Sequence, residues 1–105
     1  MIYTLDELRE KIKPIAEKYE IPAVYIFGSY ARGEATEDSD VDVLYNGRGS
    51  KVQGLIWGEL YEDLRENLRK GLDLVEENCL LEHESVRETP WLVDNIIREK
   101  VRVYG

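Results

Sequence analysis

The run from Gly28 to Val43, Gly-Ser-Tyr-Ala-Arg-Gly-Glu-Ala-Thr-Glu-Asp-Ser-Asp-Val-Asp-Val, constrains this chain more than any other part of it. It begins where the β-branched and aromatic segment Ala23–Phe27 meets Gly28, so a strand is expected to end there. Gly28-Ser29 is followed by ten residues and then by Asp40-x-Asp42, set in a second apolar run. Small residues at a strand end let the backbone approach a phosphate closely, and Ser29 adds a hydroxyl donor. Ser29 to Arg32 can start a helical turn whose free N–H groups point at the anion. Gly33 can close that turn with a positive φ.

Asp40 and Asp42 lie two apart in a strand-like stretch, so both carboxylates point to one face while Val41 and Val43 point to the other. Their Cα atoms would be about 6.6 Å apart, a span that one or two cations can bridge. Hard oxygen ligands of this kind suit Mg²⁺, which also takes oxygens from substrate phosphates. A third acid, Asp73, stands alone in the apolar run Gly71-Leu72-Asp73-Leu74-Val75. Burying an unpaired charge is costly, so this residue needs a partner or a ligand. If its strand lies beside the Asp40–Asp42 strand, the three carboxylates converge on a site for a metal-bound nucleoside triphosphate.

The segment Gly28 to Leu44, with Asp73 downstream, resembles the DNA polymerase β-type nucleotidyltransferase superfamily. Within it the chain is most similar to the minimal nucleotidyltransferases (MNT), antitoxins that pair with HEPN toxins. The motif-bearing likeness runs from Val24 to Val75, and its pattern of Gly-Ser, Asp-x-Asp and a later Asp is intact. The resemblance implies a Mg²⁺-dependent protein adenylyltransferase that moves AMP from ATP to a tyrosine of a HEPN ribonuclease toxin. Asp40, Asp42 and Asp73 would be the catalytic and metal-binding residues, holding two Mg²⁺ ions, with Asp73 well placed as general base. Gly28 and Ser29 would bind the nucleotide, and Arg32, in an Ala-Arg-Gly pattern shared with the family, would contact the triphosphate or pair with Glu34 or Glu37. Two other readings stay open. One is an antitoxin that neutralises by binding alone; the other is a small-molecule nucleotidyltransferase completed by a second subunit.

At 105 residues the chain is expected to form one minimal nucleotidyltransferase domain over residues 1-105, enough for a single core. Such a length is spent on the catalytic sheet, so half of the acceptor site is expected from another molecule, as a hetero-oligomer or a homo-oligomer. The net charge is −8, from 14 basic and 22 acidic residues. That balance argues against direct binding of nucleic acid and favours a basic protein partner. One cysteine, Cys79, excludes an internal disulfide and suits a reducing cytoplasm. Neither a signal segment nor a membrane-spanning run is visible.

The coarse pattern is α+β: a small mixed β-sheet with helices packed on one face. Thr4 and Glu7 form a capping box for a first helix, whose apolar stripe is Leu5, Leu8, Ile12, Ile15 and Tyr19. Pro14 predicts a kink or break near Lys13. Strand two is expected around Val41–Tyr45, and Asn46 to Gly54 reads as a loop. A helix from about Leu55 to Lys70 follows, with Trp57, Leu60 or Tyr61, Leu64 and Leu68 facing inward and Gly71 ending it. After strand three, a helix from Trp91 to Lys100 and a closing edge strand, Val101–Tyr104, complete the reading. Arg48 and Lys51 read as solvated loop cations, Glu34, Glu37 and Asp38 as a solvated acidic loop, and His83 as an exposed histidine. Cys79, Trp91 and Tyr104 fit core positions better than a partner surface.

Overall fold

The computed structural model describes residues 2–77 and 96–105. The expectations for Cys79, His83, Trp91 and the start of the last helix fall outside these residues. Helix α1 (Leu5–Lys18) begins at the capping box, where the Thr4 hydroxyl accepts from the Glu7 amide and the Glu7 carboxylate accepts from the Thr4 amide. The helix runs through Pro14 without a break to Lys18. Pro14 is exposed, and Leu8 and Ile12 before it and Ile15 and Ala16 after it are all buried, so one apolar stripe anchors both halves.

Strands β1 (Ala23–Phe27), β2 (Val41–Asn46), β3 (Leu72–Glu76) and β4 (Val101–Tyr104) form one sheet in the order β3-β2-β1-β4. The β1–β2 and β1–β4 pairs are antiparallel, and β2–β3 is parallel, with a helix in the crossover between them. A short helix, α2 (Gly28–Arg32), follows β1 directly, and α3 (Ile56–Leu68) connects β2 to β3. Residues 96–99 run helical before β4.

Alternation along the strands gives the sheet two unlike faces. Val24, Ile26, Val41, Val43, Tyr45, Leu72, Leu74 and Val103 join the core with Leu8, Ile12 and Ile15 of α1 and Leu60, Leu64 and Leu68 of α3. The opposite face carries the acids. Two expectations for α3 are corrected. Arg69, in the left-handed conformation at φ 54°, caps the helix, so Gly71 is not its terminator. Trp57 is 41% exposed and stacks on Tyr61, because the inward stripe is carried by Leu60, Leu64 and Leu68, three and four residues apart. Among the described residues, no helix is long and apolar enough to cross a membrane.

α1 and α3 are also clamped by polar contacts. Asp63 accepts from Lys18 Nζ at 2.8 Å and from the buried Tyr19 hydroxyl, and these bonds hold its carboxyl below the usual range. A depressed carboxyl adds stability above its unfolded pKa and loses it as the pH falls through the folded value. Asp63→Asn should therefore lower the melting temperature at pH 7 by a few degrees. The deficit should shrink as the pH drops below about 4 and disappear once the pH has passed below the depressed folded value, where the wild-type carboxyl is also neutralised. Thermal scans of both proteins between pH 3 and 7 check this.

Candidate active site

The site lies where β1 ends and β2 and β3 begin. Register pairs Phe27 with Asp42 across β1–β2 and Asp42 with Asp73 across β2–β3, so these three residues form one row on the face turned away from the core. Asp42 is half-buried and Asp73 is exposed. Asp40 stands just before β2. Because Val41 pairs with Leu72, and the Val41 amide donates to the Gly71 carbonyl at 2.9 Å, Asp40 falls beside Gly71.

Two glycines make room for these carboxylates. A Cβ on Gly71 would sit 2.1 Å from Asp40 Oδ1, and a Cβ on Gly28 would sit 2.0 Å from Asp42 Oδ2. Gly28 also adopts φ +70°, which few L side chains tolerate. The backbone of the Gly-Ser turn is thus pressed against the Asp42 carboxylate. α2 starts at that contact with no side-chain hydrogen bond capping its N-terminus. It ends at Gly33, in the left-handed conformation at φ 73°, as expected. The Ser29 carbonyl accepts from the Glu34 amide at 2.9 Å, which ties the loop after α2 back to the turn.

Burial, followed by the charges of Asp73 and Asp40 and a hydrogen bond with Asp73, pushes the Asp42 carboxyl up to about 6; Arg32 works in the opposite direction. Two neighbouring carboxylates on a half-buried row repel one another, and a hard divalent cation is the species that would relieve them. The donor set is all oxygen, which fits Mg²⁺. Among the described residues no three acidic, His or Cys side chains already stand as a closed ligand set. Asp42 and Asp73 adjoin, whereas the Asp40 carboxylate leans over Gly71. A cleft of about 640 Å³ opens beside Asp40, bordered by Lys11, Asp38, Asn67, Lys70 and Gly71.

Arg32 forms two ion pairs, Nε to Glu34 at 3.1 Å and Nη1 to Glu99 at 3.0 Å. The Glu34 pairing is one that the sequence suggested. Glu99 lies 67 residues away, and nothing in the local pattern pointed to it. Gly71 was likewise missed as a neighbour of the acids. Its signal was its position two residues ahead of Asp73, on a strand that had to flank Asp42. Lys51 pairs with Glu20 at 3.7 Å, remote from the row of acids in sequence, and the Arg48 amide donates to Asn46 in its own loop.

The family described as "Polymerase beta, Nucleotidyltransferase" matches residues 10–105. The chain belongs to this nucleotidyltransferase family. A Methanocaldococcus jannaschii protein provisionally named as a protein adenylyltransferase is 36% identical to it over 100 residues, covering 94% of this chain and 97% of the relative. The protein adenylyltransferase MntA of Thermococcus cleftensis is 37% identical over 82 residues, covering 73% of this chain and 81% of the relative. A crystal structure of a toxin–antitoxin with AMP-PNP superimposes with a TM-score of 0.69, covering 92% of this chain and 73% of that one. At 22% identity that last likeness is one of fold. The mixed sheet with α1 and α3 on one face is accordingly the polymerase β-type nucleotidyltransferase fold, and the chain is a nucleotidyltransferase.

Proposed function

We propose that this nucleotidyltransferase is a protein adenylyltransferase that silences a HEPN-type ribonuclease toxin by moving AMP from ATP to a tyrosine hydroxyl of that toxin. The observation that carries the chemistry is the row Asp42–Asp73, with Asp40 beside it and the Gly28-Ser29 turn pressed against Asp42. The adenylyltransferase names of two relatives and the toxin–antitoxin neighbour in fold support the choice of donor and partner.

In this reading Asp40, Asp42 and Asp73 hold two Mg²⁺ ions. When bound, these would offset the charge of the triphosphate and lower the pKa of the attacking hydroxyl. Gly28, Ser29 and Arg32 orient the phosphate chain so that the bond from the α-phosphorus to the pyrophosphate oxygen lies opposite the incoming hydroxyl. Asp73, exposed at the edge of the row, accepts the tyrosine proton as the new P–O bond forms and pyrophosphate leaves. The protein's share is positioning and charge stabilisation. A lone cysteine suits action in the cytoplasm, and a net charge of −8 favours a basic protein surface over nucleic acid.

The test is intact mass of the toxin after co-expression with this chain, or after incubation with it, ATP and Mg²⁺. A gain of one or more AMP units on a toxin tyrosine is expected. A stable complex without any gain would favour neutralisation by binding alone, and labelling of small acceptors without toxin would favour a small-molecule transferase.

A further inference from the structure

Arg32 is the side chain whose pairing the nucleotide site does not explain. It closes α2 four residues after Gly28, so the two share one helix face, and Gly28 is the residue pressed against Asp42. Helical side chains lean back toward the N-terminus, so a released Arg32 can reach along the turn toward Gly28 and the Asp42 it contacts. Yet two of its five N–H donors, on Nε and Nη1, are engaged by Glu34, the second residue after α2, and by Glu99, next to β4. Arg32 and Glu34 are open to solvent, at 43% and 67%, and Glu99 is half-buried, at 33%.

We propose that Glu34 and Glu99 are internal competitors that hold Arg32 at the mouth of the site, and that a metal-bound nucleoside triphosphate enters by exchanging these carboxylates for its own phosphate oxygens. The inference rests on reading the Gly28-Ser29 turn as the nucleotide site. Exposed ion pairs are weak, so their exchange is cheap. A guanidinium forks onto phosphate as readily as onto carboxylate, and a triphosphate carries more charge than either glutamate. Glu99 is the more consequential competitor. It is half-buried and anchored next to β4, whereas Glu34 sits in an exposed loop. Glu34 and Glu99 are thereby positioning residues, acting on the nucleotide only through Arg32.

The experiment is calorimetric titration of Mg²⁺–ATP into the full chain without acceptor, for the wild type, Glu99→Gln, Arg32→Gln and the double variant. Glu99→Gln should bind about two- to fivefold more tightly, the fold-change set by losing one exposed pair. Arg32→Gln should bind about tenfold more weakly, as loss of a charge-assisted phosphate contact requires. In the Arg32→Gln background, Glu99→Gln should change nothing. A gain that persists there would be the general effect of removing a negative charge, and it would overturn the exchange. So would unchanged or weaker binding by Glu99→Gln in a protein whose circular dichroism and melting temperature match the wild type. If the wild type took up no Mg²⁺–ATP at all, the nucleotide site itself would fall, and this proposal with it.

Discussion

Asp42→Asn should abolish AMP transfer while making the metal-free protein more stable, two effects of opposite sign from one atom pair. Asparagine keeps the shape of the side chain but removes the charge, and the loss of transfer should be about a thousandfold or more, as for other removals of preorganised charge at a reacting phosphoryl group. The stability gain follows from the carboxyl being raised to about 6 in the folded chain, against about 3.9 when unfolded. A raised acid binds its proton more tightly in the native state. Its penalty is absent below pH 4, grows between pH 4 and 6, and is complete above that. Asp42 is only half-buried, so solvent screening reduces the gain from Asn to about 1 kcal/mol at pH 7. For a chain of this size that is a rise of about 4–6 °C in melting temperature. At pH 4 the two proteins should melt together. Mg²⁺ with ATP should reverse the order, raising the wild-type melting temperature and leaving most of that increment missing in Asp42→Asn. Equal increments in both proteins would remove Asp42 from the metal site.

That Asp73 would lie beside Asp42 was legible because strands alternate and because a lone Asp in an apolar run needs a reason to be there, whereas the Asp40 carboxylate stands apart over Gly71. The strand limits of β1 and the left-handed Gly33 cap were legible for similar local reasons, as was the capping box at Thr4. What escaped the sequence was decided by tertiary neighbours. Pro14 looked like a helix breaker, but its penalty is local and the buried stripe on either side of it outweighs that penalty. Trp57 fits the inward helical phase by hydrophobicity, yet the three leucines already fill that stripe. Gly71 read as a helix stop because Arg69, an unlikely residue for a left-handed cap, does that work instead. Glu99 was invisible, since an ion pair across 67 residues leaves no periodicity to read. The role of Gly28 was legible only in part: it signalled close approach, but the approaching group is the protein's own Asp42 carboxylate, and the room that Gly71 leaves for Asp40 was not read at all.

Gly28→Ala tests that close approach directly. Two costs are superimposed at this position: φ +70° disfavours any Cβ, and the new methyl would lie 2.0 Å from Asp42 Oδ2. The first is about 1 kcal/mol. The second is an overpacking cost of about 1–3 kcal/mol, because Asp42 Cγ as well as Oδ2 lies within 3.0 Å of the added methyl and the carboxyl is hydrogen-bonded with Asp73. Together they should lower the unfolding free energy by about 2–4 kcal/mol in urea, with an unchanged denaturant slope. Truncating the partner separates them. In Asp42→Ala the carboxylate is gone and the remaining Cβ lies 3.4 Å from the added methyl, an ordinary contact. Adding Gly28→Ala there should cost only the backbone term, so the double variant should be more stable than the sum of the single changes by about 1–3 kcal/mol. Strictly additive costs would mean that the methyl meets something other than Asp42. Should Gly28→Ala alone be too unstable to purify, a folded double variant makes the same point. The turn is held open by one missing methyl, and the carboxylate it admits is the one on which the proposed transfer would depend.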